Sequence, residues 1–512
     1  SVCSSHSIPD ERKLSKMFTD ESLDGVDIKS TWRKERDLAS SSVQTEDLLI
    51  SDAVVQSIKW ADEAIQTDEE PEKKFWLAQD TSGRLVDFLR RVEPYILKQL
   101  QKNLQSRAFD DYEVGGDEEK SAVTIVHTLT HADLNNKFQV TGLSWNSTGS
   151  VIAASYGNFE HEDWCTHKAS LCTWNLDRRN INENKADTAV ELSSCLMCIA
   201  FHPQNPALIA GGNFNGEVML WDLSREDDTL VCTSGIGDDA HQEPVSKVHW
   251  FPDSKGKRFS LVSIGTDGKI LVWKVDRKNQ KLSLKDGFVL MNQSLPRKMK
   301  VKGVRGDKEI GATCISYNSE DRDMFLVGSE AGAIFKCSMH TQGNPAGSHI
   351  VSSIPLRSPV TFTYSPHHGP VYSVECSPFH RNAFISSAMD QCIRLYSILQ
   401  AQPVMTIEPG EGYIYSVAWS PIRPTLIAAV SETGNLLLYD LKHGQPTPVQ
   451  KLGASPQKQP VYTCQFNSHQ TEFLATGDAA GYIQIFKLSQ SLRKVSAKDA
   501  EFIGKLVSVA AE

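Results

Sequence analysis

Residues Ser194–Ser224, SCLMCIAFHPQNPALIAGGNFNGEVMLWDLS, decide the fold of this chain. The stretch reads as an alternating strand, a His-Pro turn, an apolar strand that ends in Gly-Gly, and a third strand that ends at Trp221-Asp222. An Asn-Gly pair separates the second strand from the third. Alternation around a two-residue turn is typical of antiparallel hairpins. The stretch therefore predicts three consecutive antiparallel strands.

The same pattern recurs along the chain, in copies that align with one another. The seven copies are Val140–Asp177, Ser194–Ser224, Pro244–Asp276, Gly311–His340, Pro370–Ile398, Tyr413–Lys442 and Pro460–Ser489. Each copy places a small or turn residue five positions before a bulky residue that ends a strand. We assign a blade-closing structural role to the large aromatic ones, which are Trp174, Trp221, Trp273, Tyr396, Tyr439 and Phe486. Four-stranded sheets repeated around an axis bury their faces against one another. We therefore predict an all-β fold, a seven-bladed WD-type β-propeller at residues 122–490.

Residues 1–72 are polar, charged and without periodicity, and we predict a largely disordered arm. Acidity is concentrated at this end of the chain. Residues 1–120 hold 26 acidic and 17 basic side chains, whereas the remainder holds 37 and 36. This distribution offers no basic surface for nucleic acid. The chain also has no run of about 18 apolar residues, so no membrane insertion is expected.

Two short phrases in the arm share one pattern. Val43-Gln44-Thr45 and Ile65-Gln66-Thr67 each place a β-branched residue before Gln-Thr, and an acidic residue follows. An extended peptide of this kind can add a strand to the sheet edge of a partner, with its Gln and Thr side chains in contact on alternate faces. We interpret both phrases as binding motifs. The alternative is a solvated polar linker.

Residues 73–106 predict an amphipathic helix, because apolar residues recur there every three or four positions. They are Leu85, Phe88, Leu89, Val92, Ile96, Leu100 and Leu104. Pro94 lies inside this pattern, so either the helix kinks or a second helix begins there. The apolar face could pack on the propeller of the same chain. Because an acidic linker at 107–121 follows the helix, we favour an external partner.

The two ends of the repeat region carry further predictions. Val123–Thr130 alternates before the first full copy, and propellers commonly close by pairing strands from the two ends of the chain. We therefore predict that this segment is the outer strand of the last blade. Residues 491–512 are predicted to be a C-terminal tail.

Cysteine and histidine occur in two suggestive groupings. Cys195 and Cys198 form a C-x-x-C pair, but positions three apart on a strand face opposite sides, so both are predicted to be core residues. His161, Cys165 and His167 cluster in the insertion FEHEDWCTH. Three candidate ligands without an evident fourth favour a surface loop over a metal site.

The motifs of catalysis are missing from the sequence. It contains no G-x-S-x-G and no Walker loop, and His367-His368 lie in a Pro-Gly loop without a nearby nucleophile in the sequence. The eleven cysteines are scattered among the strand phrases, which indicates reduced thiols in a cytosolic protein. We predict no enzymatic activity, no cofactor and no metal.

This layout of an acidic arm with two Gln-Thr phrases, an amphipathic helix and a WD-type propeller resembles the dynein intermediate chains. The phrases CIAFHPQNPALIAGGNFNGEVMLWDL and PVYSVECSPFHRNAFISSAMDQCIRLY look most like the intermediate chains of cytoplasmic dynein-2, the motor for retrograde intraflagellar transport. The resemblance implies that Val43-Gln44-Thr45 and Ile65-Gln66-Thr67 both dock dimeric dynein light chains. The eight-kilodalton type fits the second motif better, and a Tctex-type light chain is an alternative for the first. It further implies a Roadblock-type light chain on the helix around Leu85–Leu104, and the dynein-2 heavy chain on the propeller.

The same resemblance implies a non-catalytic scaffold that is paired with a second intermediate chain and supports cilium assembly. It places the chain in the cytoplasm, at the cilium base and axoneme, and at the centrosome. Two other hypotheses remain open on the residues alone. A propeller that recruits substrates to a ubiquitin ligase would need no light-chain motifs, and a propeller enzyme predicts convergent polar residues in its central channel.

Overall fold

The computed structural model describes residues 84–105, 123–161, 163–225, 228–253, 258–295, 297, 299–300, 305–341, 345–347, 350–443 and 447–509. The chain divides into two compact units, residues 1–115 and residues 116–512, and each is described by itself. The predicted disordered arm at 1–72 and the predicted linker at 107–121 lie outside the described residues.

The first unit contains one helix, α1 (Arg84–Gln105), among its described residues. Pro94 lies inside this single helix, which excludes a second helix that starts at the proline. Asp87 in the first turn is favourably placed beside the positive end of the helix dipole. None of the helices among the described residues combines the length and the apolar character needed to span a bilayer.

The second unit is built from β-strands, numbered here in chain order. They are β1 (Val123–Leu129), β2 (Gln139–Trp145), β3 (Val151–Gly157), β4 (Ala169–Asn175), β5 (Thr188–Leu192), β6 (Leu196–Phe201), β7 (Leu208–Asn213), β8 (Val218–Asp222), β9 (Leu230–Thr233), β10 (Val245–Pro252), β11 (Phe259–Gly265), β12 (Lys269–Asp276), β13 (Lys281–Val289), β14 (Ala312–Tyr317), β15 (Met324–Ser329), β16 (Ile334–Ser338), β17 (Val360–Thr363), β18 (Val371–Cys376), β19 (Ala383–Ala388), β20 (Ile393–Ser397), β21 (Pro403–Ile407), β22 (Ile414–Trp419), β23 (Leu426–Ser431), β24 (Asn435–Asp440), β25 (Gln450–Gly453), β26 (Val461–Phe466), β27 (Phe473–Asp478) and β28 (Ile483–Leu488).

Within the described residues these strands form six sheets. Five have four strands, in the orders β2-β3-β4-β5, β14-β15-β16-β17, β18-β19-β20-β21, β22-β23-β24-β25 and β1-β28-β27-β26. The sixth has eight strands and consists of two antiparallel runs, β6–β9 and β10–β13. A single parallel residue pair, Thr233 with Lys281, joins the two runs. The architecture is an all-β propeller of meandering sheets.

The stretch Ser194–Ser224 forms β6, β7 and β8, which confirms the three antiparallel strands predicted from it. Gly216 sits in the predicted Asn-Gly turn at a φ of 87°. A Cβ atom at this position would lie 2.2 Å from the carbonyl oxygen of His241 in the segment before β10. Glycine is therefore required here both by the left-handed backbone and by the close approach of the neighbouring sheet.

The core lies between adjacent sheets. In one large cluster, Leu220 and Cys198 from the β6–β9 run pack with Val245, Trp250 and Trp273 from the β10–β13 run. The first strands β2, β6, β10, β14, β18, β22 and β26 contact one another in turn, and β26 contacts β2. Each sheet thus buries its faces against its neighbours, which is the physical basis of propeller stability.

Strand β1 pairs antiparallel with β28 from the far end of the propeller, from Val123 opposite Leu488 to Leu129 opposite Ile483. This confirms the prediction that Val123–Thr130 closes the ring as the outer strand of the last sheet. Leu129 and Val123 are both buried at this junction.

The C-terminal segment differs from the predicted tail. It forms the short helix α2 (Gln490–Arg493) and the helix α3 (Ala497–Val509). Ile503 and Val507, one helical turn apart, are buried in the core cluster that contains Trp419 and Tyr439. The prediction missed the apolar spacing of this helix, which Phe502 and Leu506 extend.

Candidate functional site

The helix α1 presents an apolar face to solvent. Phe88, Leu89, Ile96 and Leu100 are each about half exposed, at 49–53%, and Val92 is partly buried. The side chains of Leu85 and Leu104 lie outside the described residues. An amphipathic helix whose apolar face is exposed is suited to docking in a groove of a partner.

The two Gln-Thr motifs, Val43-Gln44-Thr45 and Ile65-Gln66-Thr67, lie outside the described residues. Their role stays a prediction from the sequence.

The six predicted blade-closing residues lie on the third strands of four of the four-stranded sheets and of both runs. All of them are buried, and they are Trp174 in β4, Trp221 in β8, Trp273 in β12, Tyr396 in β20, Tyr439 in β24 and Phe486 in β28. Each lies opposite an apolar residue of the preceding strand, as Trp221 lies opposite Ile209 and Phe486 opposite Leu474.

A buried hydrogen-bonded chain supports the β10–β13 run. His241 Nδ1 lies 3.0 Å from Asp267 Oδ1, and its Nε2 lies 2.7 Å from Ser263 Oγ. Because the carboxylate can only accept, we assign the proton to Nδ1, and the Ser263 hydroxyl then donates to Nε2. Trp273 Nε1 donates to the same hydroxyl at 2.8 Å. The ring nitrogens of His241, the Ser263 hydroxyl and the Trp273 indole N–H therefore all have hydrogen-bond partners.

A second chain of the same kind supports the β18–β21 sheet. His367 Nδ1 lies 2.9 Å from Asp390, and its Nε2 lies 2.8 Å from Ser386 Oγ. Burial lowers the pKa of His367 and so favours the neutral ring. Burial alone would raise the pKa of Asp390, but the hydrogen bond from His367 and the nearby Arg394 outweigh it and bring that pKa to about 2.

Sequence reasoning missed both chains and placed no nucleophile near His367. The structure corrects that view, because Ser386, His367 and Asp390 have the connectivity of a Ser-His-Asp triad. The side chains of His367 and Ser386 are buried, so the hydroxyl is not presented to a substrate. A signal was available, since Asp267 and Asp390 occupy equivalent turns before a third strand, 26 and 23 residues after their histidines. These residues hold the loops before β10 and β18 in place.

We expect Ser386→Ala to destabilise the protein by about 1–3 kcal/mol, because it leaves His367 Nε2 buried without a partner. The adjacent Ser387 is a matched control, since it is also fully buried in β19 but its hydroxyl has no hydrogen-bond partner within the described residues. Ser387→Ala should change stability by less than about 0.5 kcal/mol. Urea unfolding followed by tryptophan fluorescence measures both. Equal losses for the two variants would contradict this role of Ser386.

The first strands surround a central cavity of about 470 Å³. Three tyrosines on consecutive first strands line one side, with ring centroids 5.1 Å apart for Tyr372 and Tyr415 and 4.9 Å apart for Tyr415 and Tyr462. Lys247 is the charged side chain of the lining, and its other polar members are hydroxyl-bearing.

The insertion between β3 and β4 is largely exposed, as expected of a surface loop, with one exception. Cys165 is buried rather than exposed, and the loop folds back against Cys195, the residue before β6. Cys195 and Cys198 are both buried, as predicted for core residues. The two sulfurs have different surroundings. Cys198 Sγ lies 3.5 Å from the carbonyl oxygen of Val245, whereas Cys195 Sγ lies near the side chains of His161, Cys165 and His167.

Sheets repeated around a central cavity define the class of this protein as a WD-type β-propeller. Residues 358–397 match the family model of the WD domain, G-beta repeat, and residues 186–266 match that of the dynein axonemal intermediate chain 3 WD40 domain.

Curated relatives extend this similarity beyond the propeller. Cytoplasmic dynein 2 intermediate chain 2 of Mus musculus is 41% identical over 494 residues, which is 95% of this chain and 92% of the relative. The Homo sapiens protein of that name is 42% identical over 82% of this chain and 78% of the relative. Cytoplasmic dynein 1 intermediate chain of Drosophila melanogaster is 24% identical over 80% of this chain and 58% of the relative. The chain belongs to the dynein intermediate chain family.

Proposed function

We propose that this chain is a non-catalytic intermediate chain of a dynein-2 motor. Its arm and helix collect light chains, and its propeller binds the tail of the heavy chain. In this role it supports retrograde intraflagellar transport and cilium assembly, and it acts at the cilium base, the axoneme and the centrosome.

The observation that carries this proposal is the extent of the similarity. An alignment that covers 95% of the chain includes most of the residues before β1 as well as the propeller. A propeller that served an unrelated complex would share the repeats with dynein intermediate chains but would not need the arm.

We also propose that the propeller has seven blades. Support comes from the eight-stranded sheet, whose two antiparallel runs meet at one residue pair only. Each run has the strand order of the four-stranded sheets. Counting the two runs separately gives seven units, and this number agrees with the seven first strands that contact one another in a closed series.

The helix α1 supports docking of a Roadblock-type light chain. The apolar side chains Phe88, Leu89, Ile96 and Leu100 follow one another along the helix at intervals of one, seven and four positions. Burying one such side chain in a partner groove contributes about 1.5–3 kcal/mol. Burial of several of these side chains together supplies enough free energy to bind a small partner protein through a groove on its surface.

The arm motifs support a second mode of assembly. A two-fold symmetric light chain offers two equivalent sheet edges, so it can hold two arms side by side, one from this chain and one from a second intermediate chain. Once the first site is occupied, the next binds at an effective concentration of the order of mM, and avidity exceeds single-site affinity about 10²–10⁴-fold. The light chains thereby join two intermediate chains, and each propeller seats one heavy chain. ATP hydrolysis belongs to the heavy chain.

Co-purification of the full chain with light chains tests the arm. We expect Gln44→Ala and Gln66→Ala singly to weaken capture of the Tctex-type and the eight-kilodalton light chain, respectively, and the double variant to lose both. The loss in the double variant should approach the avidity factor of about 10²–10⁴. Mass identification of every stoichiometric subunit provides the measurement.

A helix variant separates the arm from α1 in the same experiment. Ile96→Asp should release the Roadblock-type light chain and retain the other two, whereas Lys98→Ala on the polar face should retain all three. If the double Gln variant captures light chains as the unchanged protein does, the arm does not bind them through these motifs. A ubiquitin-ligase adaptor would show that outcome together with recovery of ligase subunits.

A further inference from the structure

We propose that His161, Cys165, His167 and Cys195 form a tetrahedral zinc site that fastens the loop between β3 and β4 to the start of β6. Each residue offers one ligand atom, and the four atoms lie within 4.8 Å of one another. Two thiolates and two imidazoles are a preferred ligand set for structural zinc, and this combination of soft sulfur and nitrogen donors favours zinc over calcium or magnesium.

The distances are close to those of a formed site. Zinc bonds of about 2.0–2.3 Å in a tetrahedron hold the donor atoms roughly 3.3–3.8 Å apart. Cys165 Sγ and His167 Nδ1 already lie 3.5 Å apart. The widest pair, which lies within 4.8 Å, therefore needs to close by only about 1 Å.

His161 is the residue whose surroundings most require a ligand. Both of its ring nitrogens are buried and have no hydrogen-bond partner within the described residues. The ring stacks on Phe214, with centroids 4.0 Å apart, and faces the ring of His167 at 5.1 Å. A buried imidazole nitrogen without a hydrogen-bond partner is unfavourable, and coordination of a metal ion would supply a partner to one of the two nitrogens.

Metal binding requires deprotonated thiols and neutral imidazoles, so zinc uptake at this site would release the thiol protons to solvent.

The surrounding contacts orient the two sulfurs. The backbone N–H of Cys195 donates to Cys165 Sγ at 3.2 Å, a hydrogen bond that stabilises a thiolate. The backbone N–H of Cys165 donates to Asn215 Oδ1 at 3.0 Å, and Asn215 Nδ2 donates back to the Cys165 carbonyl oxygen at 2.9 Å. The loop is thus held against the Asn-Gly turn of the next hairpin. Phe138, Ala169, Met197 and Phe214 pack around the cysteines and limit the access of water.

The site lies beside the central cavity. Phe159 from the same loop, together with Met197 and Phe214, lines that cavity. A zinc ion that fixes the loop would also fix this part of the channel mouth. The site is structural, because its four protein ligands leave no position open for a substrate.

Metal analysis of the full chain, purified under reducing conditions without a chelator, tests the proposal. We expect about one zinc ion per chain by mass spectrometry of the metal, and less than about a tenth of that in Cys165→Ser and Cys195→Ser. Because both cysteines are buried, these variants could misfold. His167→Gln avoids that ambiguity, since His167 is exposed, and it should lose zinc while its circular dichroism stays unchanged. Cys392→Ser, at a partly exposed cysteine of another sheet, should keep its zinc.

Cobalt(II) supplies an independent readout. The unchanged chain, stripped of zinc, should take up cobalt with tetrahedral d–d bands and thiolate charge-transfer absorption, and His167→Gln should lose this pattern. Zinc removal should lower the unfolding temperature of the unchanged chain but not of His167→Gln. The proposal is overturned if the chain binds neither zinc nor cobalt, if Cys195→Ser and His167→Gln retain full zinc, or if Cys165 and Cys195 are found joined as a disulfide.

Discussion

Removing the closing strand β1 is expected to destabilise the propeller by about 5 kcal/mol or more. The loss has two sources. Leu129 and Val123 are buried, and each contributes about 1.5–3 kcal/mol through burial. The ladder that runs from Val123–Leu488 to Leu129–Ile483 adds several hydrogen bonds, each worth about 0.5–1.5 kcal/mol. Without β1, the apolar strand β28 also becomes an exposed edge, which is a template for aggregation.

Two fragments isolate this effect. A fragment of residues 123–512 retains β1, and a fragment of residues 130–512 lacks it, while both lack everything that precedes the propeller. We expect the shorter fragment to unfold at a lower temperature and to elute as larger species in size-exclusion chromatography. If both fragments are monomeric and unfold at the same temperature, closure by β1 does not contribute to stability.

Trp221→Ala is expected to destabilise the protein by about 3–5 kcal/mol. Trp221 is buried in β8, where it packs with Leu196, Ile199, Ile209 and Met219. Truncation removes the transfer free energy of the indole and leaves a cavity that two flanking sheets cannot close. Leu399→Ala is the control, because Leu399 is 61% exposed and its loss should cost less than about 0.5 kcal/mol. Urea unfolding measures both values.

Gly211, on the strand next to Trp221 and close to its indole ring, makes the prediction sharper. A Cβ atom at Gly211 would lie 2.9 Å from Trp221 Cζ3, so Gly211→Ala alone overpacks the site and should cost about 1–3 kcal/mol. In the double variant the methyl group enters the space that the indole leaves. We expect a favourable coupling of about 0.5–3 kcal/mol. This coupling should not fully offset the cost of Gly211→Ala, because the same Cβ would also lie 3.0 Å from the carbonyl oxygen of Cys198. Strictly additive losses would mean that Trp221 does not fill this space.

These two predictions concern the rigidity of the propeller, on which the proposed function depends. A platform for a heavy chain must keep its loops in fixed positions while force is transmitted through the complex. Ring closure by β1 and the buried aromatic residues of the third strands supply that rigidity. In the proposed function the helix α1 serves a different purpose, because its apolar side chains are about half exposed and so offer surface for binding.

The amino-acid sequence by itself determined the strands, the hairpin turns, the closing strand and the amphipathic helix. Each of these follows from residues within a few positions of one another. Strand β8 is a short run of apolar residues, Gly216 permits the left-handed turn before it, and the apolar residues of α1 repeat with the helical period. Such short-range patterns act before any tertiary contact forms, so they can be recognised without a structure.

Only the tertiary structure decided which distant side chains meet. His241 reaches Ser263 and Asp267 across 22 and 26 residues, Cys165 reaches Cys195 across 30, and α3 buries Ile503 beneath residues of β22 and β24. These contacts depend on how neighbouring sheets pack and on where their connecting loops fold back. Contacts of this kind are set by three-dimensional geometry, which leaves no periodic pattern in the sequence. For that reason Cys195 could be recognised as a fourth candidate ligand, beside the three in the loop between β3 and β4, only from the folded structure.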